Sequence, residues 1–340
     1  MARTRATVRQ NTYLGVERTP GVAVQAVRRL QTQSVTVARE YETDSFRPQG
    51  AKFVSATWIK KISSKVSGDG VLDYNETGFI LASAISRPVT TDNGDGTFTH
   101  VFTAANTSAD NPVSYTIETG DEQEAQSCAF CMITQVGFDF SRDASKVTFE
   151  GWAQEGKPVT ITEDPLEIDP EVVIPTSWTN FISRVPGEQG DKLSSNFKAT
   201  WSLSGRYNPK YVLDAANPGY TDVVEVAPEF TGTMAVESDD QGLSYLADLK
   251  AGKTLYMTSE SVGAAPDNPN SRPCKLIIES CFKPTGVSPP SDEDGVQALE
   301  FAFTGVYDKT LKRAMRITLV NHVDTYDVIP EEVEDEDETP

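Results

Sequence analysis

Two histidines serve 340 residues, and that shortage removes the commonest source of general acid–base chemistry at neutral pH. His100 falls in an expected hairpin and His322 follows the last expected strand, so a Ser-His-Asp arrangement has little to draw upon. Cysteine is scarce too. Cys128, Cys131, Cys274 and Cys281 are too few for a disulfide framework in a chain of this length. Cys128-x-x-Cys131 has the spacing of half a zinc site. On a strand, however, residues three apart point to opposite faces, and the Cys274/Cys281 spacing does not supply the other half, so buried reduced thiols are expected. No apolar run approaches a membrane span, and Met1-Ala-Arg-Thr-Arg-Ala lacks the apolar stretch of a signal peptide; a soluble chain made in a cytosol is expected. Gly68-Asp-Gly70 lacks the Gly-Lys-Ser/Thr of a phosphate loop and places an acid where the phosphate would sit. Asp92-Asn-Gly-Asp95-Gly lacks the alternating ligands and closing glutamate of a calcium loop, and reads as a tight turn. No catalytic, cofactor-binding or metal-ligating residue is assigned.

Acid is abundant, and its placement says more than the net charge of −20. Residues 1–39 carry seven arginines and one acid, for +6, whereas residues 331–340 carry seven acids and no base, for −7. The body between them holds −19. Such a body repels nucleic-acid phosphates, so stable DNA binding is not expected, while a basic arm on an acidic body invites contact between copies. Simple solubility is the plainer explanation of the acidity. Carboxylate pairs abound in a chain with 50 acids, and counting them does not exclude a glycosidase. The four tryptophans, Trp58, Trp152, Trp178 and Trp201, fall at strand positions that read as core and not as a sugar-binding cleft.

One pattern occurs twice, about 165 residues apart. Val66-Ser-Gly-Asp-Gly-Val-Leu-Asp-Tyr leads into the helix-like Gly78-Phe-Ile-Leu-Ala-Ser-Ala, and Met234-Ala-Val-Glu-Ser-Asp-Asp-Gln-Gly-Leu leads into Ser244-Tyr-Leu-Ala-Asp-Leu-Lys. Each copy runs from strand through a Gly/Asp turn into a short helix, and a repeated β-rich unit without shared catalytic groups reads as a building block. Period-2 alternation marks a strand at 53–66, followed by a helix over 74–85 behind a possible Asn75 cap, a hairpin over 89–102 and strands expected at 114–118, 129–140 and 147–152. In the second half, strands are expected at 178–183, 197–204, 223–226, 231–237, 254–259, 275–282, 299–306 and 315–320, with a helix around 244–249. The expected organisation is a basic extended N-terminal arm over 1–50 with one short strand near 34–37, a first β domain over 51–160 and a Pro/acid-rich linker over 161–176. A second β domain over 177–330 and an acidic disordered tail over 331–340 complete it.

Several stretches together resemble the tail tube (major tail) proteins of long-tailed bacteriophages. They are Gly15-Val-Glu17-Arg-Thr19-Pro-Gly21, Gly70-Val-Leu-Asp-Tyr before the 79–85 helix, Tyr115-Thr-Ile-Glu-Thr-Gly-Asp, Val136-Gly-Phe-Asp-Phe-Ser-Arg-Asp and Val147-Thr-Phe-Glu-Gly-Trp. Phe197-Lys-Ala-Thr-Trp-Ser-Leu-Ser-Gly-Arg and Phe230-Thr-Gly-Thr-Met-Ala-Val extend the likeness to nearly the whole chain, and the acidic tail is a departure from it. The resemblance implies a mainly β fold of two tandem tail-tube-type units, each of orthogonally packed antiparallel sheets with a short flanking helix. It implies a structural, non-enzymatic virion protein, made in the host cytoplasm, that forms stacked rings around a lumen for phage DNA. Three copies would give a pseudo-six-fold ring, with a six-fold ring as the alternative. Its partners would be itself, the tape measure, tail terminator and distal tail proteins, and DNA passing without specific binding; no membrane and no cofactor are implied. Asp139, Asp143 and Glu150, with Glu237, Glu279 and Glu300, are then the expected lumen-facing acids, and Arg3, Arg5, Arg9, Arg28 and Arg29 the expected inter-subunit arm. A two-domain β-sandwich adhesion or binding module of a virion or cell surface is the alternative reading.

Overall fold

The computed structural model describes residues 10–213, 219–266, 271–293 and 295–327. The chain is mainly β, with 21 strands and two α-helices among the described residues. The first half runs β1 (Asn11–Val16), β2 (Arg28–Leu30), β3 (Gln33–Phe46), β4 (Ala56–Val71), α1 (Thr77–Ala84), β5 (Val89–Asp92) and β6 (Phe98–Phe102). It continues through β7 (Tyr115–Gly120), β8 (Ala125–Ser141), β9 (Ser145–Ala153) and β10 (Lys157–Val159). The second half runs β11 (Trp178–Ser183), β12 (Asp191–Lys192), β13 (Asn196–Ser204), β14 (Tyr207–Lys210), β15 (Asp222–Glu225) and β16 (Glu229–Glu237). Then come α2 (Asp240–Ala251), β17 (Leu255–Val262), β18 (Lys275–Val287), β19 (Ser291–Glu293), β20 (Val296–Gly305) and β21 (Met315–Asn321).

Every pairing between these named strands is antiparallel, and two isolated bridges, Arg28 with Leu166 and Ile62 with Gly219, are parallel. In the first half β3, β4, β9 and the later part of β8 lie side by side in that order. The earlier part of β8 departs to pair with β7, which pairs with β1. The change of sheet occurs where Phe130 takes a left-handed φ of 52° and the β7–β8 register slips by one residue. A bulge of this kind bends a strand and lets one strand serve two sheets. In the second half β13, β16, β20 and the later part of β18 lie side by side, while the earlier part of β18 pairs with β17, which pairs with β11. The halves join twice. Val136–Ser141 of β8 pairs with Lys198–Leu203 of β13, and β21, seated on β18, also pairs with β6 of the first half.

The core follows from these joints, because the inward residues of both halves meet in one cluster that includes Phe79, Phe138, Trp201, Phe282 and Phe303. Helix α1, Thr-Gly-Phe-Ile-Leu-Ala-Ser-Ala, is buried along its whole length, as a helix apolar on all sides must be. Its entry is fixed by Asp73, whose Oδ1 accepts from the backbone N–H groups of Asn75 (2.8 Å) and Glu76 (2.7 Å), so Asp73 fills the role that the sequence suggests for Asn75. Helix α2 is amphipathic and capped by Asp239, which accepts from the Gly242 N–H, and by Gly252 at φ 63°.

The N-terminal region departs most from expectation. Far from forming a detached arm, β1 sits between β2 and β7, and Tyr13, Leu14, Ala26 and Leu30 are core residues. The strand expected near 34–37 extends over 14 residues. Arg28 is buried in its own chain, its guanidinium 5.2 Å from the centroid of the Phe79 ring, and Arg29 pairs with Glu167 at 2.9 Å. Arg28 is therefore part of the fold and is not displayed to a neighbour. Arg3, Arg5 and Arg9, like the acidic tail, lie outside the described residues. Of the four tryptophans only Trp201 is fully buried; Trp58 is about half exposed, at 48%, against the expectation of a core position. All four thiols are free and buried. Cys128 and Cys131 enter the same core cluster, because the bulge at Phe130 cancels the alternation that would have set them on opposite faces.

His100 is closed into this core. Its Nε2 donates to the Val323 carbonyl (2.8 Å) and its Nδ1 accepts from the Thr90 hydroxyl (2.9 Å), with the Tyr326 ring packed edge-on against it. Desolvation lowers its pKa from 6.5, with the Val323 and Asn321 hydrogen bonds and the Asp324 charge opposing. The native state then holds fewer protons than the unfolded chain just below pH 6.5, so stability falls on acidification through that range. In urea unfolding, wild type is expected to lose up to about 1.4 kcal/mol per pH unit more than His100→Asn below that point. Equal slopes for the two proteins would show that His100 does not couple to stability.

Candidate functional site: a polar sheet face and a projecting hairpin

The β8–β13 joint makes one sheet of the order β3–β4–β9–β8–β13–β16–β20–β18. Its inward face carries Val66, Phe149, Phe138, Trp201, Met234 and Phe301. Cross-strand register assigns the outward face residue by residue. Thr36, Ser67, Glu150 and Gln135 are opposite one another in neighbouring strands; Asp139, Thr200, Thr233 and Ala302 form a second such row. Between them lie Asp69, Thr148, Gly137, Ser202, Thr231 and Thr304. The face is thus mostly short and hydroxylated, with Trp152 opposite Lys65 and Val71 opposite Lys146 as apolar exceptions, and the Thr200 and Thr233 hydroxyls bond to each other at 2.9 Å.

Glu40, Asp69, Asp139, Glu150, Glu229, Glu237 and Glu300 stand on this face with Lys65, Lys146, Lys198 and Lys283. Lys65 pairs with Glu150 at 2.8 Å, and Lys198 lies 3.3 Å from Glu300 and 3.4 Å from Glu293. The hydrogen bond to Glu150 raises the Lys65 pKa. Desolvation opposes the charge on Lys198, but its bonds to Glu300 and Glu293 outweigh it and raise the pKa. Both lysines stay charged, and the face keeps an excess of carboxylate. Of the six acids singled out from sequence, Asp139, Glu150, Glu237 and Glu300 meet here. Asp143 does not, because it sits in the turn between β8 and β9. Glu279 lies on the earlier part of β18, in the other sheet, where it is held by Arg313 (3.3 Å) and Arg316.

The second feature is the β3–β4 hairpin. Fourteen residues of each strand pair, but only the part near α1 is covered; beyond Arg39 and Ile62 both strands are largely exposed. Cross-strand ion pairs stiffen the exposed part, with Lys61 2.8 Å from Glu42 and Lys60 3.0 Å from Asp44. Around its tip Phe46, Phe53, Val54, Trp58 and Ile59 are exposed, Phe53 by 82%. An exposed apolar group of this size is uncommon on a folded surface. Sequence periodicity located the strand but could not reveal that its apolar residues have no core to enter.

Both features are anchored by a buried carboxylate that sequence reasoning did not single out. Glu17, in the Gly15–Gly21 stretch, accepts four hydrogen bonds: from the Gly21 N–H (2.8 Å), the Ser114 hydroxyl (2.8 Å), the Thr116 hydroxyl (3.0 Å) and the Phe130 N–H (2.7 Å). It therefore fixes the bulge at which β8 passes from one sheet to the other. Glu76, at the start of α1, holds the turn into β3 by accepting from the N–H groups of Gln31 (2.6 Å) and Thr32 (3.0 Å). No described helix is long and apolar enough to cross a membrane. A scan of the chain against protein-family models and a search of curated proteins give no match.

Proposed function

We propose that this chain is the self-assembling subunit of a phage tail tube, built from two tandem units and acting as a structural virion protein without enzymatic activity. One observation carries the reading: the same strand order occurs in both halves. β1, β3, β4, α1, β7, β8 and β9 of the first correspond in order and pairing to β11, β13, β16, α2, β17, β18 and β20 of the second. A detail of packing supports the correspondence. Gly68 of β4 faces Phe149 of β9, and Gly232 of β16 faces Phe303 of β20; in both pairs the phenyl ring lies where a Cβ on the glycine would be. The same cross-strand device at the same place in each half is what duplication of one unit leaves behind.

The β8–β13 joint then acquires a meaning beyond this chain. It unites the last strand of one four-stranded sheet with the first strand of the next. Among the described residues the outer edge of β3 and the outer edge of the later part of β18 have no partner strand. If β18 meets β3 of the next copy as β8 meets β13, sheets join edge to edge around a ring, and open edges, which otherwise invite uncontrolled pairing, are consumed by assembly. Three copies supply six units. The hydroxylated, carboxylate-bearing face would line the lumen, where excess negative charge keeps DNA from adhering. The tip of the β3–β4 hairpin would reach the adjoining ring.

Negative-stain microscopy of the purified full chain tests this reading. Rings or hollow tubes of uniform diameter, with three chains per ring in class averages, are expected. Isolated particles at all concentrations would favour an adhesion module instead, and a ring of six whole chains would overturn the three-fold arrangement.

A further inference from the structure

Three side chains from separate parts of the sequence converge: Glu171 from the segment between β10 and β11, the buried Cys274 just before β18, and the half-exposed His322 just after β21. Their ligand atoms all lie within 4.8 Å of one another. We propose that Glu171, Cys274 and His322 form a binding site for a zinc-class divalent metal ion, which staples these three segments together.

The imidazole is set up for this role. His322 Nδ1 lies 3.1 Å from the Gly96 carbonyl, which can only accept, so Nδ1 carries the proton and Nε2 presents its lone pair. That nitrogen is 3.9 Å from Glu171 Oε2. A hydrogen bond from the distal nitrogen to a carbonyl is the usual way in which a metal-binding histidine is oriented. The backbones of all three residues are also pinned. The Glu171 carbonyl accepts from the Tyr74 N–H (2.9 Å), the Cys274 carbonyl from the Gly263 N–H (2.8 Å), and the His322 N–H donates to Asn75 Oδ1 (3.3 Å).

The donor set selects the metal. Thiolate, imidazole and carboxylate together suit a borderline-soft ion, whereas calcium and magnesium call for oxygen alone. Tetrahedral bonds of about 2.0–2.3 Å place ligand atoms about 3.3–3.7 Å apart, so modest side-chain rotation closes the cluster on an ion. Without metal, burial and then the Glu171 hydrogen bond hold the Cys274 thiol protonated. Binding replaces that proton: the S–H bond breaks, an S–metal bond forms, and one proton leaves to solvent. His322 is half exposed, which gives the ion a path in, and three protein ligands leave a fourth position open.

Cobalt(II) titration of the chelator-stripped full chain is the test. A thiolate-to-cobalt charge-transfer band with strong tetrahedral visible bands is expected, both displaced by zinc, and zinc is expected to raise the melting temperature. Cys274→Ser should abolish the charge-transfer band. His322→Gln, at an exposed side chain whose loss leaves the core intact, should weaken cobalt binding by about tenfold or more and remove the zinc-dependent rise in melting temperature. A folded wild type without the cobalt spectrum, or a band that persists in Cys274→Ser, would overturn the site.

Discussion

Replacing Phe46, Phe53, Trp58 and Ile59 together by serine is expected to leave a folded, monodisperse chain that does not form the proposed tubes. The four side chains project from the β3–β4 hairpin, where they are 48–82% exposed, so the native fold gains little from them. Thermal unfolding should shift by no more than an exposed-surface substitution does, within about 0.5 kcal/mol for each residue. Buried against another ring, each side chain would contribute about 1.5–3 kcal/mol, before the entropy of association is subtracted. A polymer repeats that contact at every ring and is therefore far more sensitive than the monomer. Sedimentation and microscopy would read the result, and tubes of normal length from the quadruple variant would remove the hairpin from any assembly role.

Glu17→Ala is expected to produce the largest loss of stability of any single substitution at a polar residue in the first half. Four donors, two of them backbone N–H groups, point at one buried carboxylate. Removing it strands them in a site that water does not reach, at about 1–3 kcal/mol for each donor left unpaired, and relaxation should keep the total near 3–5 kcal/mol. The bulge at Phe130 should loosen as well, because a left-handed φ on a phenylalanine persists only when its surroundings hold it. Denaturant unfolding of Glu17→Ala and Glu17→Gln would measure the effect, with Gln intermediate since its amide nitrogen cannot accept. A change below about 1 kcal/mol for Ala would show that the donors find other partners.

The parts of the fold legible in the sequence are those whose signal is local. Trp178–Ser183 appears as a strand at the residues where alternation places it, and the glycines of Asp92-Asn-Gly-Asp-Gly take the positive φ that the hairpin turn needs. Period 2 also explains why Asp139, Glu150, Glu237 and Glu300 share one face. The same rule fails for Glu279 because β18 changes sheets along its length, and for the Cys128/Cys131 pair because of a bulge; neither event has a local signature. The strands β1 and β2 were hidden for another reason. Thr19-Pro20-Gly21 is a turn signal, but here the turn lies between two short paired strands and does not mark an unstructured arm. The Glu171, Cys274 and His322 cluster has no sequence signal at all, since its members come from three distant segments.

The pairing of β21 with β6 has a temporal side. β6 leaves the ribosome roughly two hundred residues before the strand it must pair with, and β21 also completes the edge of β18. Until β21 arrives, the nascent chain carries a hairpin with an unmet edge and a second half that cannot close around Tyr326 and Phe102. In the proposed assembly an unfinished subunit would have no settled outline to offer a neighbour. Translation itself would then act as the timer that withholds polymerisation until β21 exists, and a product truncated before it would be barred from the proposed polymer by its own topology.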